Sequence, residues 1–200
     1  MRVRRFALLL EIGILVSAAM SAEDKPKTSP APMDEKAAME MMQKAATPGE
    51  AHKKLDAVVG TFDAKVKMWT DPSKPPEESA GTSVNTWVLG DRFVETKYEG
   101  MFMGQPFSGI GFTGYDNVTK KYVGTWMDTM STGMMVSKGT MTGKTMNMSA
   151  TMPDPTTGKM STVREKTIVT DSDHYAMEMW GAGPDGKSYK MMEITYTRRK

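Results

Sequence analysis

The sequence predicts an all-β fold, an up-and-down antiparallel barrel of about ten strands behind one N-terminal helix. Three observations carry that reading. Apolar and polar residues alternate with a period of two from Thr61 onward, as in TFDAKVKM, VETKYE and TMNMSATM. Turn-forming clusters such as LGDR, MGQP, MTGKT, TDSD and AGPDGK separate the alternating runs at short intervals. Loops that short join antiparallel neighbours, since a parallel crossover needs about a dozen residues or more. Closing such a meander into a barrel removes the two edges an open sheet would leave, and a β-sandwich is the alternative.

Residues 1–22, MRVRRFALLLEIGILVSAAMSA, have a basic start, an apolar stretch and small residues at the end. This is the layout of a secretory signal, and it predicts a periplasmic or secreted protein with no stable membrane insertion after cleavage. Removing its three arginines and one glutamate leaves 23 basic and 23 acidic side chains. A neutral mature chain offers no electrostatic footprint for nucleic acid. With no cysteine, the exported domain has no disulfides and relies on its core.

Residues 23–47 read as a flexible linker, rich in proline, alanine and charge, with a stretch from Asp34 to Ala46 able to form a short helix without an apolar stripe. The barrel domain spans 48–200. Its helix is expected over 48–59, with Thr47 as N-cap, Pro48 in the first turn and Gly60 as the stop. Strands follow near 61–70, 79–89, 92–99, 106–115, 121–128, 133–141, 145–152, 159–170, 174–181 and 187–198.

The stretches HKKLDAVVGTF, GIGFTGYDNVTKKYVGTWMD and DGKSYKMMEITYTRRK together resemble the bacterial domain-of-unknown-function family 1579. The resemblance covers about residues 49–199, and its more specific parts are the GYD…W-x-D pair and the closing EITYTR. Phe62 stands where that family often has tryptophan. The resemblance implies a lipocalin-like barrel and no established activity.

GIGFTG, Gly109 to Gly114, matches the spacing of a dinucleotide-binding fingerprint. That fingerprint needs a helix immediately after it to hold the pyrophosphate. Here a YDN turn and another alternating strand follow, so the glycines are read as places where a strand bends or packs closely.

The 22 methionines are the oddest feature of composition. They read as core filler or soft cavity lining in place of leucine and isoleucine. The alternatives are Cu(I) binding by a Met146/Met148 cluster and oxidant handling in the cell envelope. His52 and His174 have no second nitrogen ligand beside them in sequence. A single-histidine haem site on His174 is the alternative, and solvated or structural roles are the reading taken for both histidines. No nucleophile, metal motif or catalytic constellation is visible, and no cofactor is expected.

Candidate barrel-lining residues for a small, largely apolar ligand are Trp87, Tyr98, Trp126, Met146, Met148, Arg164 and Glu178. Trp87 shares a face with Leu89 and is expected to pack against Val94. Arg164, if it points inward, needs a carboxylate partner, and Glu178 and Glu193 on the following strands are the candidates. Trp126 and Asp128 share parity, at a pocket rim or as a packed indole beside a turn-capping carboxylate. A filled barrel serving as a structural or interaction module is the remaining reading.

Overall fold

The computed structural model describes residues 34–154, 157–183 and 186–200. Residues 1–22, read above as a secretory signal, and the first part of the segment read as a linker lie outside these residues. Helix α1 (Glu35–Ala46) opens the described chain and buries none of its side chains, in keeping with its lack of an apolar stripe. Its end is held by Asn117, whose Nδ2 donates to the carbonyls of Ala45 and Thr47 at 3.0 and 2.8 Å.

The next helix is shorter and starts later than the sequence suggests. A single α-turn, α2 (Glu50–Lys53), runs into a 3-10 segment over Lys54–Val58. Gly49 is the N-cap, and its N–H donates to Nδ1 of His52 at 3.1 Å. Thr47 does not cap this helix because its hydroxyl instead donates to the carbonyl of Gln43, closing α1.

Ten strands follow: β1 (Gly60–Met68), β2 (Glu77–Val88), β3 (Phe93–Phe102), β4 (Gln105–Asp116), β5 (Lys121–Asp128), β6 (Met135–Thr142), β7 (Thr145–Asp154), β8 (Lys159–Val169), β9 (His174–Ala182) and β10 (Ser188–Arg198). Each pairs antiparallel with the next, and β1 pairs with β10, from Phe62 opposite Arg198 to Met68 opposite Met192. The barrel is therefore closed and has no free edge. Hairpin chemistry fits the path. Met103 and Gly104 both take positive φ, 48° and 74°, the two-residue turn whose twist matches that of the strands it joins.

The inward face carries the core. Phe62, Ala64 and Val66 of β1 are buried while Asp63, Lys65 and Lys67 between them are exposed. Phe62 is fully buried and meets the rings of Tyr175 and Tyr196 edge-on at 4.9 and 6.4 Å. Burial of one such aromatic side chain stabilises the fold by roughly 1.5–3 kcal/mol.

The α2 and 3-10 segment plugs one end of the barrel. Leu55 is buried against Val94, Tyr122 and Met148, with Trp87 and Tyr115 partly buried around them. Polar contacts fasten the plug to the wall. Tyr122 Oη donates to the carbonyl of Ala51, Asn85 Nδ2 to that of Val58 and Trp87 Nε1 to Asp56 Oδ1, at 2.7–2.8 Å. Arg198 adds bonds to the carbonyls of Val59 and Ala57. Its guanidinium also lies over the Phe62 ring at 4.6 Å.

Candidate functional site: the barrel interior

The lumen changes character along its length. At the plugged end the inward side chains are sealed, with Leu55, Val94, Asn85 and Tyr122 each 3% exposed or less. Toward the opposite, open end Trp126, Asp128, Met135, Met152, Met177, Met179 and Met192 share the inward parity of their strands and keep some solvent contact. Tyr98 and Phe107 meet with their rings 5.8 Å apart, Phe107 on the stretch of β4 that leaves the β3–β4 hairpin.

Trp126 owes its position to the glycines of GIGFTG. Gly109 and Gly111 sit on β4 opposite Asp128 and Trp126 of β5. A Cβ on Gly109 would stand 2.7 Å from Cη2 of the indole, and one on Gly111 would stand 2.9 Å from its Cε3. The third glycine, Gly114, lies on the outer face beneath the Phe93 ring. All three glycines therefore clear space for aromatic rings. Trp126 Nε1 donates to Asp128 Oδ2 at 2.9 Å, while Asp128 Oδ1 accepts from the backbone N–H of Met130 at 2.9 Å. The carboxylate thus orients the indole and caps the turn at once.

The remaining sequence-derived candidates divide. Trp87 lies opposite Val94, as expected, but at the plugged end; Leu89 has left the strand for a turn at φ 53° and is exposed. Tyr98 is inward and buried, and burial raises its phenol pKa. Met146 and Met148 line the plugged half, where Met148 is buried beside Leu55. Arg164 and Glu178 are not in the lumen. Val163 is the buried residue of their neighbourhood, so Arg164, one position on, is exposed and donates to Ser188 Oγ at 2.6 Å. Glu178, on the outer face of the neighbouring strand β9, pairs with Lys190 at 2.7 Å, and Glu193 pairs with the same lysine at 2.5 Å. Outward placement keeps these charges hydrated, which an inward guanidinium would forfeit.

The inward ionisable group on β8 is Glu165, which the sequence reading left on the opposite face from Arg164. It lies in register with Met148 of β7 and Met179 of β9, in the middle of the lumen wall. Enclosure raises its carboxyl pKa, and a hydrogen bond from the Ser137 hydroxyl opposes that rise only in part. The signal that could have found it is local. Val163 and Val169 share its parity, whereas Arg164 and Lys166 put two cations on the other.

His174 is exposed and bonds Asp171 Oδ1 at 2.9 Å, and His52 is buried in the plug against the Tyr115 ring. Among the described residues no group of three or more His, Cys, Asp or Glu side chains is placed to hold a metal ion. Exposed methionines gather at the open end instead. Met101 and Met103 lie in the β3–β4 hairpin, Met130 and Met134 in the β5–β6 loop, and Met160 at the start of β8.

A closed ten-stranded antiparallel wall, one end plugged by a helical turn and the other lined by aromatic rings and thioethers that pack on the core, defines a small β-barrel protein of the lipocalin-like class. Within that class the chain belongs to the DUF1579 family, described as "Protein of unknown function", whose model matches residues 47–198. No curated protein matches the chain significantly. Among solved structures it is similar to Rv2717c from M. tuberculosis, at 14% identity and a TM-score of 0.58, over 77% of this chain and all of that one. A redesigned beta barrel aligns over 78% of this chain and all of its own, at 17% identity and a TM-score of 0.40. At these identities the Rv2717c likeness speaks to the fold alone.

Proposed function

We propose that this protein is exported through its N-terminal segment and binds a small, largely apolar molecule non-covalently in the open half of its barrel. The observation that carries this reading is the set of inward side chains at the end of the barrel away from the plug. Trp126, Met177, Met179 and Met192 point inward there and, although Trp126, Met177 and Met192 pack in part on the core, all four keep some contact with solvent. A wall of about ten strands is wider than the eight whose interior side chains readily fill. Thioethers and an indole around that space supply apolar, adaptable contact.

Native mass spectrometry of protein purified from its own source tests the reading. A retained organic adduct is expected, lost on denaturation. A bare polypeptide mass from every preparation, together with no heat on titrating apolar probes, would remove the ligand-binding function and leave a filled structural barrel. A copper mass shift would favour the metal-handling alternative.

A further inference from the structure

We propose that three hairpin ends opposite the plug form a membrane-contact surface, an apolar apex that dips into the interfacial layer of an uncharged lipid bilayer. The contact is peripheral and reversible, and it does not depend on what the lumen holds. Every odd-numbered strand runs away from the plug, so the β3–β4, β5–β6 and β7–β8 connections are neighbours at this end. Met101, Met103, Met130, Met134 and Met160 lie there and are 45–65% exposed. Contacts hold the β5–β6 loop in place between its neighbours. Its Thr129 N–H donates to the Ser108 carbonyl at 3.0 Å, and its Thr129 Oγ1 accepts from the Ser108 N–H at 3.2 Å, just past the β3–β4 hairpin. On the other side it lies on β7, where a Cβ on Gly133 would stand 2.9 Å from Cγ of Pro153. Pro153 is opposite Met160 in register, so Met134, Pro153 and Met160 run across three adjacent strand ends.

Charge is missing where these methionines are. A quarter of the chain is charged, yet no charged residue falls between Glu99 and Asp116 or between Asp128 and Lys138. Asp154 and Lys159, on the third hairpin, stand opposite one another in register. The four turns at the plugged end all carry charge, as at Asp91, Lys120, Lys144 and Asp171. An exposed apolar patch of this kind marks a contact with protein or membrane. A stable protein interface takes about 20–30 residues from each side and seats its anchors in pockets. The apex offers five methionines, Phe102 and Pro153 on hairpin ends, and the cavities of the described surface lie elsewhere, beside Glu40 and Lys44 and beside Lys65 and Glu193. A second copy of the chain meets the same shortfall. A bilayer needs no matching relief, and its hold grows with the apolar area it covers. Uncharged turns lose no ion hydration on entering it, and without a cation among them they gain nothing from anionic lipid. Flexible thioether chains adapt to a fluid surface.

The test uses the protein as its own source processes it, with phosphatidylcholine vesicles. Vesicles are expected to slow sulfoxide formation at Met103, Met130 and Met160 under mild peroxide by several-fold, and to leave Met39 and Met42 of α1 unprotected. Co-sedimentation with the vesicles is expected to be insensitive to salt. The double variant Met103→Glu/Met130→Glu should lose about tenfold or more in partition, while Met39→Glu/Met42→Glu partitions as wild type. Both variants change exposed side chains, and an unchanged urea midpoint verifies that they fold. Absence of protection at the apex, partition that the apex variant keeps, or partition that needs anionic lipid overturns the proposal. A dimer in sedimentation without lipid, dissolved by the apex variant, would assign the surface to a second copy and overturn it equally.

Discussion

The indole of Trp126 occupies the volume that a side chain at position 109 would need. Gly109 lies in β4, Trp126 in β5, and a Cβ on the glycine would press into the six-membered ring. The relationship explains a motif whose spacing imitates a cofactor fingerprint, and it is directly testable. Gly109→Ala should destabilise the barrel by roughly 1–3 kcal/mol, as overpacking does. Adding Trp126→Ala should relieve part of that loss, so the two changes are non-additive in a urea-denaturation cycle. Strict additivity would mean that the ring does not hold the glycine's space.

Arg198 and Arg199 are adjacent in sequence and differ in what they hold. Arg198 donates to three backbone carbonyls at the plug and stacks on Phe62. Arg199 pairs with exposed Asp63 and Thr82 on the outer wall. Replacing Arg198 by alanine should lower unfolding free energy by about 2–4 kcal/mol, given the worth of charged hydrogen bonds. Arg199→Ala should cost no more than about 1 kcal/mol, as for surface pairs. Chemical denaturation of the two variants ranks them.

Asn85 ties the plug to the tyrosine layer. Its Nδ2 donates to the Val58 carbonyl at 2.7 Å and to Tyr175 Oη at 3.1 Å, and its Oδ1 accepts from Ser83 Oγ at 2.8 Å. Asn85→Leu strands three partners in the core and should cost about 2–4 kcal/mol in thermal or urea unfolding.

Three buried ionisable groups give stability pH signatures opposite to those of surface carboxylate pairs. Enclosure raises Glu165, so the unfolded chain ionises it first, near pH 4.3, while the native state still holds the proton. Its contribution is complete below that pH and is lost as pH rises through the raised native value. Glu165→Gln should therefore gain stability over wild type at neutral pH, with the gain vanishing in acid. Tyr175 and Tyr196 are stacked at 4.2 Å and buried, and desolvation pushes both phenols upward. Stability should fall as pH climbs past about 10, where unfolded tyrosine ionises. Absorbance of the two phenolates should appear only as the barrel opens.

Exposure sorts the methionines chemically. Met103, Met130 and Met160 are more than half exposed at the open end, as are Met39, Met41 and Met42 on α1, whereas Met148 is 8% exposed. Under mild peroxide the exposed set should become sulfoxide well before Met148, as peptide mass spectrometry would show. Early oxidation of Met148 would contradict the placement of that side chain in the core.

Much of the barrel was legible because period-two alternation and turn chemistry are local. Lys121–Asp128 stands as a strand where YVGTWM alternates between lysine and a capped aspartate. The first helix was misplaced by two residues because Thr47 has two partners on offer, and α1, judged a linker, claims its hydroxyl. The facing of β8 was only faintly legible, in the two valines that share the parity of Glu165. Its two parities each mix charge with apolar residues, and only the closed register, which puts Glu165 between Met148 and Met179, decides which side looks inward. Depth along the lumen is likewise absent from sequence. Met148 and Met179 have the same parity and chemistry, and the plug beneath Met148 alone makes one core and the other lining.

The central claim, that the open half of the barrel is a ligand cup, is tested most directly by methyl resonances of labelled methionine during titration with a small apolar probe. The account predicts that shifts concentrate at Met177, Met179, Met192 and Met152, with Met101, Met103 and the α1 methionines unmoved. Unchanged lumen methyls at saturating probe, or shifts confined to the exposed rim, would contradict it.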